Sequence, residues 1–143
     1  MKSIAVCITI LAFLVAPFPL FAGGIKSKDS GKTGYLKKDS LFKDRTNIYN
    51  KDGSVKGYLK QDRIFKDRVY IYDRHDQKKG YLKRDSLFDD QINIINKDGT
   101  KKGYLKEDRL FDDRTNIYDK NGRQKGYLER DNLFEDQTNI YKD

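Results

Sequence analysis

The chain is 143 residues long, with 30 lysines and arginines against 22 acids, a net charge of +8, one cysteine and one histidine. That length makes one small domain. The charges are well mixed rather than gathered in a polybasic tail, and a single cysteine excludes an internal disulfide framework.

At the N-terminus, Lys2 precedes an apolar run from Ile4 to Val15, followed by Pro17, Pro19 and Ala22-Gly23. This pattern predicts a signal peptide over 1–22, cut after Ala22, and a secreted or periplasmic protein. The apolar run is too short to span a bilayer. Leu20 is bulky for the third position before a cut, so a retained N-terminal anchor is the competing reading. Cys7 lies inside the run, not at its end, which argues against lipid attachment. Removal of residues 1–22 would leave no thiol, and 29 basic against 22 acidic residues, a net charge of +7. Such a surface suits anionic partners such as lipid head groups, polysaccharide or nucleic acid, or it simply keeps a repeat protein soluble. No motif points to a specific nucleic acid.

From residue 23 onward the chain is periodic. Gly-Tyr-Leu begins at 34, 57, 80, 103 and 126, always 23 residues apart. Ile25, Ile48, Ile71, Ile94, Ile117 and Ile140 keep the same spacing, as do Phe42, Phe65, Phe88, Phe111 and Phe134. A fixed period of this length marks a repeat architecture whose units share one core. The domain 23–143 divides into a degenerate half-unit 23–33, complete units 34–56, 57–79, 80–102 and 103–125, and a shortened fifth unit 126–143.

Each unit predicts two strands. Thr46-Asn47-Ile48-Tyr49 and its copies are rich in β-branched and aromatic residues, and Lys56-Gly57-Tyr58-Leu59-Lys60 is the second. Between them lie Asn50-Lys51-Asp52-Gly53, Asn96-Lys97-Asp98-Gly99 and Asp119-Lys120-Asn121-Gly122, whose Asp-Gly and Asn-Gly pairs are strong hairpin signals. The hairpin at Arg74-His75-Asp76-Gln77 lacks the glycine and is expected to be the most strained. A two-residue Asp52-Gly53 loop would set Tyr49 opposite Lys56, Ile48 opposite Gly57 and Thr46 opposite Leu59. Ile, Thr, Gly and Leu would then share one face, and Asn47, Tyr49, Lys56, Tyr58 and Lys60 the other. A three-residue loop with a glycine bulge would instead bring Ile48 beside Tyr58 and reverse the faces. The separation of aliphatic from charged positions favours the two-residue register.

The remaining segment, Asp39-Ser40-Leu41-Phe42-Lys43-Asp44 and its copies, carries the bulkiest apolar pair. Its Leu-Phe is expected to plug the shared core. Its first aspartate is expected to cap a turn by accepting backbone N–H bonds.

Acid pairs recur five residues apart, at Asp39/Asp44, Asp62/Asp67, Asp85/Asp90, Asp108/Asp113 and Asp131/Asp136. Hard oxygen ligands suit calcium, but the full calcium-loop spacing is missing, so turn capping and ion pairs with Arg45, Arg68 and Arg114 are the preferred reading. No metal or cofactor is expected. Tyr35, Tyr58, Tyr81, Tyr104 and Tyr127 recur with Lys37, Lys60, Lys83 and Lys106 on one predicted face, with Glu129 breaking the series. Rings flanked by cations can stack on sugars or bases and pair with anions. The same pattern also arises when tyrosines merely pack across strands under lysine stems. These nine residues are the candidate binding set. His75 sits in a turn with no repeat counterpart and reads as a surface substitution. There is no Ser-His-Asp arrangement and no phosphate loop, and near-identical units do not supply one asymmetric site, so no enzyme is expected.

The chain ends on Thr138-Asn139-Ile140-Tyr141, a first strand with no Gly-Tyr-Leu after it. An open array would leave this strand as an exposed edge. Pairing of 138–141 with 34–37 would close a ring, against the competing local hairpin 25–37. The expected fold is therefore all-β, with five 23-residue hairpins closed into a shallow barrel or ring, the alternative being an open β-solenoid.

The pattern Ile117-Tyr118-Asp119, Gly122, Gly126-Tyr127-Leu128 and Leu133-Phe134 resembles the bacterial β-flower families, and the likeness runs over 25–141. It implies hairpin petals around a shallow, tubby-like barrel, no established activity, and at most a role at anionic lipid. The units here are longer, with Arg45-Thr46-Asn47 before the isoleucine, and number five where four is commoner. A weaker likeness to YD-type and choline-binding-type repeats lacks the tryptophan of the latter. The functional expectation is an exported, non-catalytic binding or structural module of the cell envelope that takes glycan or another anionic polymer. The alternative is a protein of anionic lipid surfaces.

Overall fold

Branched and aromatic runs punctuated by turn residues give ten strands in a computed structural model that describes residues 31–143. They are β1 (Lys32–Lys38), β2 (Arg45–Asn50), β3 (Val55–Gln61), β4 (Arg68–Asp73), β5 (Lys78–Arg84), β6 (Gln91–Asn96), β7 (Lys101–Glu107), β8 (Arg114–Asp119), β9 (Gln124–Arg130) and β10 (Gln137–Lys142). Each strand pairs antiparallel with its chain neighbours, and β1 pairs with β10, so the sheet is a closed barrel with no edge. The expected signal peptide and half-unit 23–33 fall almost wholly outside the described residues.

The ring closes as the unpaired C-terminal strand demands. Gly34 faces Ile140, Tyr35 faces Asn139 and Leu36 faces Thr138. This seam repeats the turn-linked hairpins, in which Ile48 faces Gly57 and Thr46 faces Leu59. The fifth petal is thus assembled from the two ends of the chain. Lys142 N–H donates to the Gly31 carbonyl at 2.9 Å, where the other petals have a turn.

Alternation places the core. Leu36, Leu59, Leu82, Leu105 and Leu128 from the odd strands meet Ile48, Ile71, Ile94, Ile117 and Ile140 from the even ones, all buried inside the barrel. Thr46 and Val69 occupy a second buried layer. The glycine of each Gly-Tyr-Leu lies against a neighbouring backbone. A Cβ on Gly57 would strike the Tyr72 carbonyl oxygen, so the position admits no side chain.

The structure corrects two expectations. The hairpin loop is not the two-residue Asp52-Gly53 form. Asn50 N–H donates to Ser54 O, Gly53 N–H donates to Asn50 O, and Gly53 holds φ 84°, a tight turn closed by a left-handed glycine. That loop alone would shift the register by one. A second irregularity after Val55 takes it back, so Tyr49 faces Val55 rather than Lys56 while Ile48 still faces Gly57. Two bulges restore the predicted faces because burying Ile48 and Leu59 outweighs regular pairing of Lys56.

The second correction concerns Leu-Phe, which does not plug the core. Leu41, Ile64, Leu87, Leu110 and Leu133 are 82–86 % exposed. Phe42, Phe65, Phe88, Phe111 and Phe134 are about half exposed. The ten Leu and Ile side chains already fill the barrel, and the Leu-Phe loops lie beyond the strand ends. The turn at Arg74-His75-Asp76-Gln77 is strained, as expected. Asp76 takes the left-handed position of the missing glycine, with φ 61°, the one non-glycine residue with positive φ among the described residues.

Candidate functional site

All five loops that join odd to even strands lie on one rim of the barrel, and the turns lie on the other. The loop rim is built by its first aspartate. Asp39 Oδ1 accepts the Leu41 and Phe42 N–H groups at 2.8 and 3.0 Å, and its Oδ2 accepts Asn47 Nδ2 at 2.9 Å. Asp85, Asp108 and Asp131 repeat the arrangement with Asn93, Asn116 and Asn139. These bonds, led by the Leu41 and Phe42 backbone donors, hold the Asp39 carboxyl below the usual aspartate range. The predicted turn cap is therefore present in the structure.

Three of the five second aspartates lie near cations of a neighbouring loop or strand. Asp44 lies 3.5 Å from Arg63, Asp90 3.6 Å from Lys106, and Asp136 3.8 Å from Lys37 across the seam. Of the arginines expected to pair with the acids, Arg45 lies 3.8 Å from Asp39, whereas Arg114 pairs with Glu129 at 3.2 Å. Among the described residues, no three His, Cys, Asp or Glu side chains converge. His75 lies exposed in its turn and accepts a bond from Arg74 Nε at 3.0 Å.

The outer wall carries the tyrosines. Tyr35 stacks on Tyr49, Tyr58 on Tyr72, Tyr104 on Tyr118 and Tyr127 on Tyr141, each with centroids 4.9 Å apart. The stacks form across the loop-linked strand pairs, where the register sets tyrosine opposite tyrosine. Tyr81 faces Ile95 instead and meets Tyr70 edge-on at 6.2 Å. The predicted tyrosines and lysines do share the outer wall. Yet the cations on the rings are different ones. Arg45 lies 3.7 Å from the Tyr58 centroid, Arg68 5.4 Å from Tyr81 and Arg114 4.2 Å from Tyr127. The same arginines reach back over Phe42, Phe65 and Phe111 of the rim. Lys60 and Lys83 stand exposed nearer the loop rim, while Lys37 and Lys106 hold their acids.

Two rings differ from the rest. Gln91 and Gln137 stand where the other units have arginine, beside Tyr104 and Tyr35 respectively. Their cations are Lys101, 5.1 Å from Tyr104, and Lys32, 5.6 Å from Tyr35. The sequence carried the signal for this in the series Arg45, Arg68, Gln91, Arg114 and Gln137 that opens the even strands, but not the cross-strand neighbour that gives it meaning.

The wall thus offers repeated aromatic faces beside mobile-stemmed cations, chemistry suited to holding a polar, anionic chain by many weak contacts. Comparison with known proteins found no matching family model, no matching curated protein and no matching solved structure.

Proposed function

We propose that this chain is an exported, non-catalytic binding module of the cell envelope whose outer wall takes an anionic glycan or a similar polymer. One observation carries the reading. Tyr35 and Tyr104 each stack on a second tyrosine on one side and lack an arginine like those 3.7 and 4.2 Å from the Tyr58 and Tyr127 centroids, while a lysine stands 5–6 Å away. A sugar ring can lie on such a face while its acidic substituent meets the ammonium. The two faces are separated around the barrel, so one polymer touching both gains by effective concentration rather than by tight single contacts. The five-fold repetition of the wall favours binding over chemistry, because it offers equivalent surfaces rather than groups in different roles.

The test is co-sedimentation with insoluble cell-wall glycan beside anionic liposomes, at low and high salt. The chain should sediment with glycan. Tyr35→Ala with Tyr104→Ala should weaken this roughly tenfold, since each lost ring contact contributes about 0.5–1 kcal/mol. The lysine contribution should fade as salt screens it. Sedimentation with liposomes alone would replace the glycan by a lipid surface.

A further inference from the structure

We propose that the Leu-Phe rim closes against the same rim of a second copy of this chain. Five Leu or Ile side chains at 82–86 % exposure, each followed by a phenylalanine at 48–55 %, form an apolar ring on one end of the barrel. Together they offer on the order of 1,000 Å² of apolar surface, more than scattered surface residues present and close to the ~800 Å² that each partner of a standard interface buries. The core is complete without this ring, and among the described residues its phenylalanines Phe42, Phe65 and Phe111 meet only the arginines Arg45, Arg68 and Arg114 on one face.

The occupant is set by the charge that follows each phenylalanine. Two exposed loop positions vary around the rim: Ser40, Arg63, Ser86, Arg109 and Asn132 before the aliphatic residue, and Lys43, Lys66, Asp89, Asp112 and Glu135 after the phenylalanine. At the second of these positions one sector is cationic and the adjoining sector anionic, with Arg63 adding to the first and Arg109 offsetting part of the second. A two-fold axis in the plane of the rim runs one ring against the other in the opposite sense. With the fifth loop on that axis, the first loop meets the fourth of the other copy and the second meets the third. Lys43 then faces the partner's Asp112 and Lys66 faces the partner's Asp89, and symmetry repeats both pairs. The odd acid, Glu135, lies on the axis. A self-complementary pattern of this kind matches a second copy. An anionic bilayer would attract the two lysines but repel the three acids that share their level. This assignment does not depend on the glycan reading, because it uses the opposite kind of surface and none of the wall tyrosines.

Sedimentation velocity of the full chain tests the proposal with three variants. Leu87→Ser with Leu110→Ser should weaken the dimer at least tenfold without lowering the melting temperature, since both side chains lie outside the core. Lys43→Glu with Lys66→Glu makes the position uniformly acidic, and Asp89→Lys with Asp112→Lys and Glu135→Lys makes it uniformly basic. Each charge variant alone should lose at least tenfold in self-association, and mixing the two should restore a dimer made of one of each. A chain that stays monomeric at about 100 µM would overturn the proposal. So would a dimer indifferent to both the leucine and the charge changes, which would place the interface elsewhere. Leucine-dependent capture by phosphatidylcholine vesicles of an otherwise monomeric chain would assign the rim to lipid and overturn it as well.

Discussion

Tyr35 lies directly opposite Asn139, and that pair joins the first described strand of the barrel to the last. The two residues are more than a hundred positions apart, yet they occupy the places of Tyr58 and Asn47 in a turn-linked petal. β1 and β10 pair because each carries one strand of the same petal that β2 and β3 form within the chain.

Closure predicts a disulfide. In a Cys7→Ser background, Tyr35→Cys with Asn139→Cys should form an intramolecular bridge readily at low protein concentration. Facing residues of an antiparallel pair have Cα atoms about 4.5–5.5 Å apart, within the range a disulfide spans. Non-reducing electrophoresis of the oxidised protein reads the result. A folded protein that forms only intermolecular links would mean that the repeats run open.

Leu82 and Leu87 are five positions apart and should behave oppositely. Leu82 is 2 % exposed and Leu87 83 %. Leu82→Ala removes a packed core side chain and should cost about 3 kcal/mol. Leu87→Ala should stay within about 0.5 kcal/mol, as surface changes do. Urea unfolding of both variants at a concentration where the chain is monomeric measures the difference. A large loss at Leu87 would restore the plugged-core expectation.

Asp76 sits at positive φ and also accepts the Tyr58 hydroxyl at 2.8 Å. Asp76→Gly relieves the backbone but loses that bond, so the two effects nearly cancel and stability should change by less than about 1 kcal/mol. Asp76→Ala keeps the backbone penalty and loses the bond, and should cost about 2 kcal/mol. The Tyr58 hydroxyl, pushed up to about 12 by burial and by Asp76, should ionise earlier in both variants. Alkaline difference spectroscopy checks this.

Acid should destabilise the barrel in a defined window. Burial pushes the Asp73 carboxyl up, but bonds from the Gln77 N–H, Lys79 and the His75 N–H outweigh it and hold it at about 2. Asp39, Asp85, Asp108 and Asp131 are also lowered, chiefly by backbone donors of their loops. A carboxyl depressed by folding adds stability above its unfolded value of about 3.9, and that stability disappears as pH falls through the folded value. The melting temperature should therefore hold from neutrality to about pH 5 and fall between about pH 4 and 2. Asp73→Asn should flatten part of that fall. A melting temperature that already drops between pH 7 and 5 would point to other groups.

The 23-residue period, the strand pairs within it and the need for the ends to meet were all legible in the residues. Each follows from local chemistry repeated at fixed spacing: branched runs, turn dipeptides, and a last strand without its partner. The Asp39 cap was legible for the same reason, because it acts over three residues. The Ile48–Gly57 pairing was legible too, though not the two bulges that achieve it, since loop geometry and burial compete there. The place of Leu-Phe was decided only by the closed barrel. Hydrophobicity marks a residue as able to be buried, but the interior of ten strands was already filled by ten Leu and Ile side chains. The wall was half legible. Alternation put tyrosine and lysine outside together, but which cation covers which ring depends on the strand beyond. That is why Arg45 reaches Tyr58 while Tyr35 and Tyr104, beside Gln137 and Gln91, are left to lysines. Neighbours along a strand are written in the chain, whereas neighbours across strands, and the volume they enclose, exist only once the sheet has closed.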